Sequence, residues 1–116
     1  MKTMIVLSLL LNVAVLVPVT LGLVTDAAWT GEAYGEASPA RGILLAVYLA
    51  ILIASVGLLV RPAPDMVAAL LAVQIIYKVI TPCSVGTLSN PVVTSNLAIA
   101  AVHTVTLFLI FNRTTP

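Results

Sequence analysis

The sequence predicts an all-α fold, a four-transmembrane-helix bundle with both termini on the cytoplasmic side. Of its 116 residues, 61% are hydrophobic and only 8% are charged, whereas a soluble domain carries roughly 25% charged residues. Mean hydropathy is +1.21, and the apolar residues fall into four runs near the roughly 20 residues that cross a bilayer. Lipid is therefore the expected solvent for this chain.

The predicted spans cover about residues 4–24, 42–60, 65–81 and 91–111, in one integral membrane domain over residues 1–116. The first run is long for the apolar part of a signal peptide, so we expect it to stay in the protein. Pro18 predicts a kink in the first span, and Pro82 is expected to disturb the third beyond Ile80. Asn90 and Pro91 predict the start of the fourth, as a cap and a first helical residue.

The orientation is predicted from the basic residues. Lys2, Arg61 and Arg113 lie on the side of the termini, whereas Arg41 lies in the opposite loop. Because short cytoplasmic loops are enriched in Lys and Arg, we expect both termini in the cytoplasm and the loop 25–41 outside.

The loop 25–41 carries two aromatic residues, Trp29 and Tyr34, that are predicted to anchor it at the headgroup level. Its charged residues include Glu32 and Glu36. Two interpretations stay open, a short amphipathic segment lying on the membrane and a solvated acidic loop.

The second span carries small residues at a helical repeat: Gly42, Ala46, Ala50, Ala54 and Gly57. Small side chains let two helix backbones approach closely in lipid. This stripe is predicted to be a helix-packing face.

Polar side chains within the spans are expensive in hydrocarbon and are expected to face the bundle interior. Gln74 and Lys78 share one face of the third helix, and Asn96 and His103 share one face of the fourth. The candidates for interior polar or ligand contacts are Asn12, Tyr48, Gln74, Lys78, Asn96 and His103. They either satisfy one another or line a ligand, proton or substrate site, and Glu32 or Glu36 is a possible ion-pair partner for Lys78.

Several chemistries are not expected. His103 has no second ligand at a suitable spacing, so no metal site is predicted. Cys83 is the single cysteine, which excludes an internal disulfide and a paired-thiol centre. No catalytic residues, no cofactor and no nucleic-acid partner are expected, and an enzyme ranks below the other functions.

Four sequence segments carry a resemblance: Tyr34-Gly35, Ser38 to Leu45, Gln74 to Lys78, and Asn90 to Val93. Together they look similar to uncharacterised small bacterial inner-membrane proteins of DoxX-like shape. The resemblance implies a fold and a bacterial inner (cytoplasmic) membrane location, with no settled activity. Small multidrug transporters share the helix count, but Asn12 stands where their first helix carries an essential glutamate.

Two functions follow as hypotheses. The first is a non-catalytic accessory or structural subunit of a larger membrane complex, respiratory or photosynthetic, or a homo-oligomer. The alternative is a small transporter or a lipid- or quinone-binding protein that uses the interior polar line. The lipid bilayer is a partner in both, and other membrane subunits or copies of the chain are partners in the first.

Overall fold

The structure, a computed structural model, describes residues 2–114 as five α-helices. They are α1 (Lys2–Thr25), α2 (Ala28–Tyr34), α3 (Pro39–Val60), α4 (Pro64–Val85) and α5 (Pro91–Thr114). Four helices are long and apolar enough to cross a membrane, and α2 is the short exception. The all-α prediction with four spans is thus confirmed, and the loop 25–41 contains a helix.

The four long helices pack as two pairs. Helix α1 lies mainly against α3, and α4 lies mainly against α5, while the two pairs meet chiefly through α1 and α5. One apolar cluster fills the bundle near the N-terminus and includes Leu9, Leu71 and Ile110. A second, near α2, includes Leu16 and Ile51.

The outer surface of the bundle is apolar. Many large apolar side chains are exposed on all four long helices, among them Leu21, Ile53, Val73 and Phe108. A soluble monomer rarely exposes contiguous apolar surface of this extent. The longest dimension is 49 Å, enough for a bilayer of roughly 40–45 Å with its headgroups. The chain is therefore an integral membrane protein.

Proline opens three of the helices, where its missing N–H has no intrahelical partner to lose. The Ser38 hydroxyl caps α3 by accepting a hydrogen bond from the Arg41 backbone N–H at 3.1 Å. The Asn90 carboxamide accepts one from the Val92 N–H at 2.8 Å at the start of α5. The predicted Asn90 cap is confirmed.

The third span extends farther than the sequence suggested. Helix α4 continues through Pro82 to Val85 and ends at Gly86, which has a φ of 84°. Proline near a helix end removes one backbone hydrogen bond, and glycine adopts the left-handed conformation that ends a helix without steric strain. The Thr81 hydroxyl donates to the Tyr77 carbonyl at 2.7 Å in the same turn.

Candidate functional site

The interior of the bundle is polar in its middle. All six polar candidates are buried, contributed by all four long helices: Asn12, Tyr48, Gln74, Lys78, Asn96 and His103. Three buried hydroxyl residues that the sequence did not single out join them: Ser8, Ser55 and Thr106. Such hydroxyls commonly bond to their own helix backbone, so their sequence positions alone carry little signal.

A central hydrogen-bond network joins α1, α3 and α5. His103 Nε2 lies 2.9 Å from Asn12 Oδ1, and Asn12 Nδ2 donates to Ser55 Oγ at 3.1 Å. Because the amide oxygen can only accept, His103 Nε2 carries the proton in this arrangement. In the neutral ring, His103 Nδ1 is then a free acceptor.

A second polar contact lies nearer the chain termini. The hydroxyls of Ser8 and Thr106 are 2.7 Å apart, which ties α1 to α5. Apolar side chains, among them Leu58, Val67 and Ile110, fill the bundle at this end. The polar interior thus gives way to an apolar core toward the termini.

Three buried atoms in the middle of the bundle have no hydrogen-bond partner among the described residues. They are both amide atoms of Gln74 and Nδ1 of His103. Gln74 is 1% exposed and His103 is fully buried. An unsatisfied buried polar group costs about 1–3 kcal/mol, so each one in a folded protein requires an explanation.

Lys78 lies one turn from Gln74 on the same face of α4. Its side chain is 5% exposed, and Nζ lies 5.3 Å from the centroid of the Tyr77 ring. Lys78 thus places a positive charge within the polar interior.

The ion pair predicted between Lys78 and Glu32 or Glu36 is not formed. Both carboxylates are on exposed residues, and the ion pair in the described chain joins Arg41 to Asp26. Arg41 lies in the first turn of α3, close to both ends of α2. It is therefore nearer to the acidic loop than Lys78 is. Within residues 2–112, nothing neutralises the Lys78 ammonium.

Two half-enclosed cavities lie at the α2 end of the bundle. One of about 420 Å³ lies between α1, α2 and α5, with walls that include Val15, Val19, Trp29 and Ile99. The other, of about 460 Å³, lies beneath α2 between α3, α4 and α5, and its walls include Tyr48, Tyr77 and Thr81. Glu32, Tyr34 and Asn96 line both. Both volumes are within the roughly 300–1,000 Å³ of ligand pockets.

Arg41 holds α2 over this end of the bundle. Its Nη2 donates to the Asp26 carboxylate at 2.7 Å, and its Nη1 donates to the Gly35 carbonyl at 2.9 Å. Asp26 precedes α2 and Gly35 follows it, so one guanidinium fastens both ends. On the opposite side, Asn90 Nδ2 donates to the Ala33 carbonyl at 3.0 Å.

The two predicted interfacial aromatics occupy different environments. Trp29 is 44% exposed, and its ring lies so close to Gly22 that a Cβ there would collide with it. Tyr34 is half-buried, and its ring packs edge-on against Tyr48 at a centroid distance of 6.0 Å. Burial, reinforced by Tyr48, raises the pKa of the Tyr34 phenol. Its hydroxyl keeps its proton at neutral pH, as an ordinary tyrosine also does.

The small-residue stripe of α3 is turned outward. Gly42, Ala46, Ala50 and Gly57 are exposed, and Ala54 is partly buried. A Cβ added at Gly42 or Gly57 would meet nothing within 4 Å. No described helix of this chain packs on those two positions.

The described residues contain no group of three or more His, Cys, Asp or Glu side chains that could hold a metal ion. Cys83 is exposed near the end of α4.

Comparison of the chain with protein-family models, curated proteins and solved structures finds no match. The resemblance to DoxX-like proteins is therefore not confirmed; what the structure supports is four candidate membrane-spanning helices.

Proposed function

We propose that this protein is a small, non-catalytic membrane protein that binds or transports an amphipathic ligand of the lipid or quinone class. The observation that carries the proposal is the cluster formed by Gln74, Lys78 and His103. Its members are buried. Both amide atoms of Gln74 and Nδ1 of His103 have no hydrogen-bond partner among the described residues, and the Lys78 ammonium forms no ion pair with a described carboxylate.

A purely structural role fits this cluster poorly. Polar side chains that only fix helix packing satisfy one another, as Asn12, Ser55 and His103 Nε2 do. Gln74 and Lys78 do not follow that pattern, and burying them without partners destabilises the bundle. A ligand with a polar head would supply those partners. Gln74, Lys78 and His103 do not line the two cavities themselves, but Tyr77, which contacts Lys78, lines the cavity beneath α2. The head would approach the cluster from that cavity, and the apolar part would lie in the cavities and the lipid beside them.

To test for a bound ligand, the protein is purified in mild detergent, and the small molecules that it retains are extracted and identified by mass spectrometry. We expect one amphipathic species to be retained by the parent protein and lost from Lys78→Met and Gln74→Leu. Arg61→Met is the matched control, because it removes a positive charge from an exposed residue in the α3–α4 turn. Equal ligand content in the parent, Lys78→Met and Gln74→Leu would contradict the proposal, as would a parent protein with no ligand.

We further propose that the termini face the cytoplasm, in a bacterial inner membrane. Lys2 and Arg61 are exposed at the terminal end, whereas Arg41 at the α2 end is buried and paired with Asp26. Arg113 lies outside the residues whose side chains are described. Two described basic residues at the terminal end against one in the loop at the α2 end favour the terminal end as the cytoplasmic one.

Cys83 provides the topology test, since it is exposed near the α2 end. A membrane-impermeant thiol reagent should label Cys83 in intact cells. A second variant, Cys83→Ser combined with Arg61→Cys, should be labelled only after the membrane is opened. The reverse pattern would invert the topology.

The second candidate function is an accessory subunit of a larger membrane complex or a homo-oligomer. The observation that favours it is the outward stripe on α3, where Gly42 and Gly57 leave room for the backbone of another helix. Gly57→Leu and Ala50→Leu should then shift the protein from a larger species to a monomer in a nanodisc. A monomeric parent protein would remove this candidate.

A further inference from the structure

We infer that the ligand's polar head is an anion, a carboxylate or phosphate that pairs with Lys78 and is hydrogen-bonded by Asn96 and the cavity tyrosines. This inference rests on the proposed ligand-binding function and names the chemical class of the ligand. The ligand is an amphipathic anion that reaches the bundle beneath α2.

The charge balance of the interior supports an anionic head. Taking an ammonium out of water costs several kcal/mol unless an opposite charge compensates it, and Lys78 has no such partner among the described residues. The nearby acidic groups are already engaged or lie outside the interior. Asp26 pairs with Arg41, and Glu32 and Glu36 are exposed.

Glu32 is the one carboxylate that lines the cavities, and its charge opposes that of an anion. Its exposed position lets water and ions screen that charge, whereas the buried Lys78 charge is screened much less. The Lys78 charge lies behind the cavity wall, against the Tyr77 ring that lines the cavity beneath α2, so it acts on an anion there more strongly than the screened Glu32 charge does.

Hydrogen-bond donors suited to anionic oxygens surround the same region. Asn96 is 7% exposed, lines both cavities and makes no hydrogen bond to another described residue. The hydroxyls of Tyr34, Tyr48 and Tyr77 belong to residues that line the cavity beneath α2. Tyr77 also contacts the Lys78 ammonium, which places the charge beside the cavity wall.

The apolar part of such a ligand would lie in the cavity between α1, α2 and α5. The cavity between α1, α2 and α5 is walled by Val15, Val19 and Ile99, and the outer faces of these helices meet lipid. A charged head inside and an alkyl chain along this wall describe a fatty acid or an anionic phospholipid. A neutral quinone head would leave the Lys78 charge uncompensated.

Trp29 makes the inference directly testable, because it is the single tryptophan of the chain and lines a cavity. The protein is placed in nanodiscs of zwitterionic phosphatidylcholine, and Trp29 quenching is followed as dibrominated stearate is added. The matching dibrominated stearyl alcohol is the uncharged control. Phosphatidate and decylubiquinone are added as competitors.

We expect saturable quenching by the stearate and binding of the alcohol about tenfold to hundredfold weaker, the range for hydrogen bonds to a charged group. Lys78→Met should weaken stearate binding by the same factor, whereas Lys78→Arg and the control Arg61→Met should retain it. Asn96→Leu should weaken it by about fivefold. Displacement of the brominated stearate by phosphatidate at much lower concentrations than by unlabelled stearate would identify a phospholipid as the source of the anionic head.

Three results would overturn the anionic head: equal binding of the alcohol and the acid, an unchanged affinity in Lys78→Met, or displacement only by decylubiquinone. The first and third results would leave the proposed ligand-binding function intact, whereas an unchanged affinity in Lys78→Met would also count against the site around Gln74, Lys78 and His103. If no amphiphile quenches Trp29 saturably, both the inference and the proposed function fail. Should Lys78→Met lose its helical circular dichroism, the acid–alcohol comparison in the parent protein decides.

Discussion

Replacing Asn12 with leucine should destabilise the bundle, because Asn12 links α1 to both α3 and α5. The substitution removes the hydrogen bonds to Ser55 at 3.1 Å and to His103 at 2.9 Å. The side chain is buried, so water cannot replace either partner. Leucine is similar in size and suits an apolar interior, so the lost polar contacts dominate the effect.

The decrease in unfolding free energy depends on whether Ser55 and His103 find new hydrogen-bond partners. A hydrogen bond between membrane helices contributes about 0.6 kcal/mol on average and at most about 1.7 kcal/mol. The Ser55 hydroxyl can rotate to a carbonyl of its own helix, whereas the His103 N–H is held by a ring and stays unpaired. An unsatisfied buried donor adds about 1–3 kcal/mol. We therefore expect Asn12→Leu to lower the free energy of unfolding by about 2 kcal/mol.

The assay is reversible unfolding in mixed micelles, with His103→Leu and the double variant completing a cycle. Each single variant should lose about 2 kcal/mol, and the double variant only slightly more, because the unpaired group is absent from it. Thr104→Val is the matched control, since the Thr104 hydroxyl bonds to the Ala100 carbonyl of its own helix at 2.7 Å. Additive losses, or an Asn12→Leu protein as stable as the control, would show that the Asn12–His103 hydrogen bond does not stabilise the bundle.

Three further predictions concern α2. Gly22→Val should push Trp29 aside and speed amide hydrogen exchange in α2, because a Cβ at Gly22 collides with the Trp29 ring. Adding Trp29→Ala to Gly22→Val should restore slow exchange. Unchanged exchange in Gly22→Val alone would contradict the contact. Arg41→Met should speed the same exchange more than Asp26→Asn does, since the Asp26 variant keeps the Arg41 bond to Gly35; equal effects would count against the double attachment. Burial raises the pKa of Tyr34 above its ordinary value of about 10, so the stability it contributes is present below about pH 10 and is lost as pH rises further. When the pH is raised from about 9 to about 11, the free energy of unfolding should fall less in Tyr34→Phe than in the parent protein. Equal decreases in the two proteins would show that the Tyr34 phenol titrates normally.

The sequence predicts the helices of this protein well because lipid imposes a simple rule. Each span needs about 20 apolar residues, and Asn90 and Pro91 mark a helix start by local chemistry. The end of α4 was less predictable, because a proline one turn from the end is tolerated when glycine closes the helix, as Gly86 does.

The partners of the polar side chains could not be read from the sequence. Periodicity places Asn12, Gln74 and His103 on inward faces, but it does not give the rotation and height of one helix against another. The rotation and height of the helices place Asn12 within hydrogen-bond distance of Ser55 and His103, whereas Gln74 bonds to neither. The ion pair forms between Arg41 and Asp26, and not at Lys78, because Arg41 lies at the start of α3 beside the ends of α2.

The outward stripe of α3 shows a related limit. Small residues at a helical repeat predict close packing, yet the repeat is the same whether the neighbouring helix belongs to this chain or to another. Only the folded bundle shows that Gly42 and Gly57 face outward.

Photocrosslinking tests whether the polar interior around Gln74, Lys78 and His103 binds the head of an amphiphile. The probe is a fatty acid that carries a diazirine next to its carboxylate, and peptide mapping locates the labelled residues. We expect labelling of inward residues near Lys78 and Asn96, suppressed by excess oleate and lost in Lys78→Met. Labelling confined to lipid-facing residues such as Val73 and Ile76, and unchanged in Lys78→Met, would contradict it.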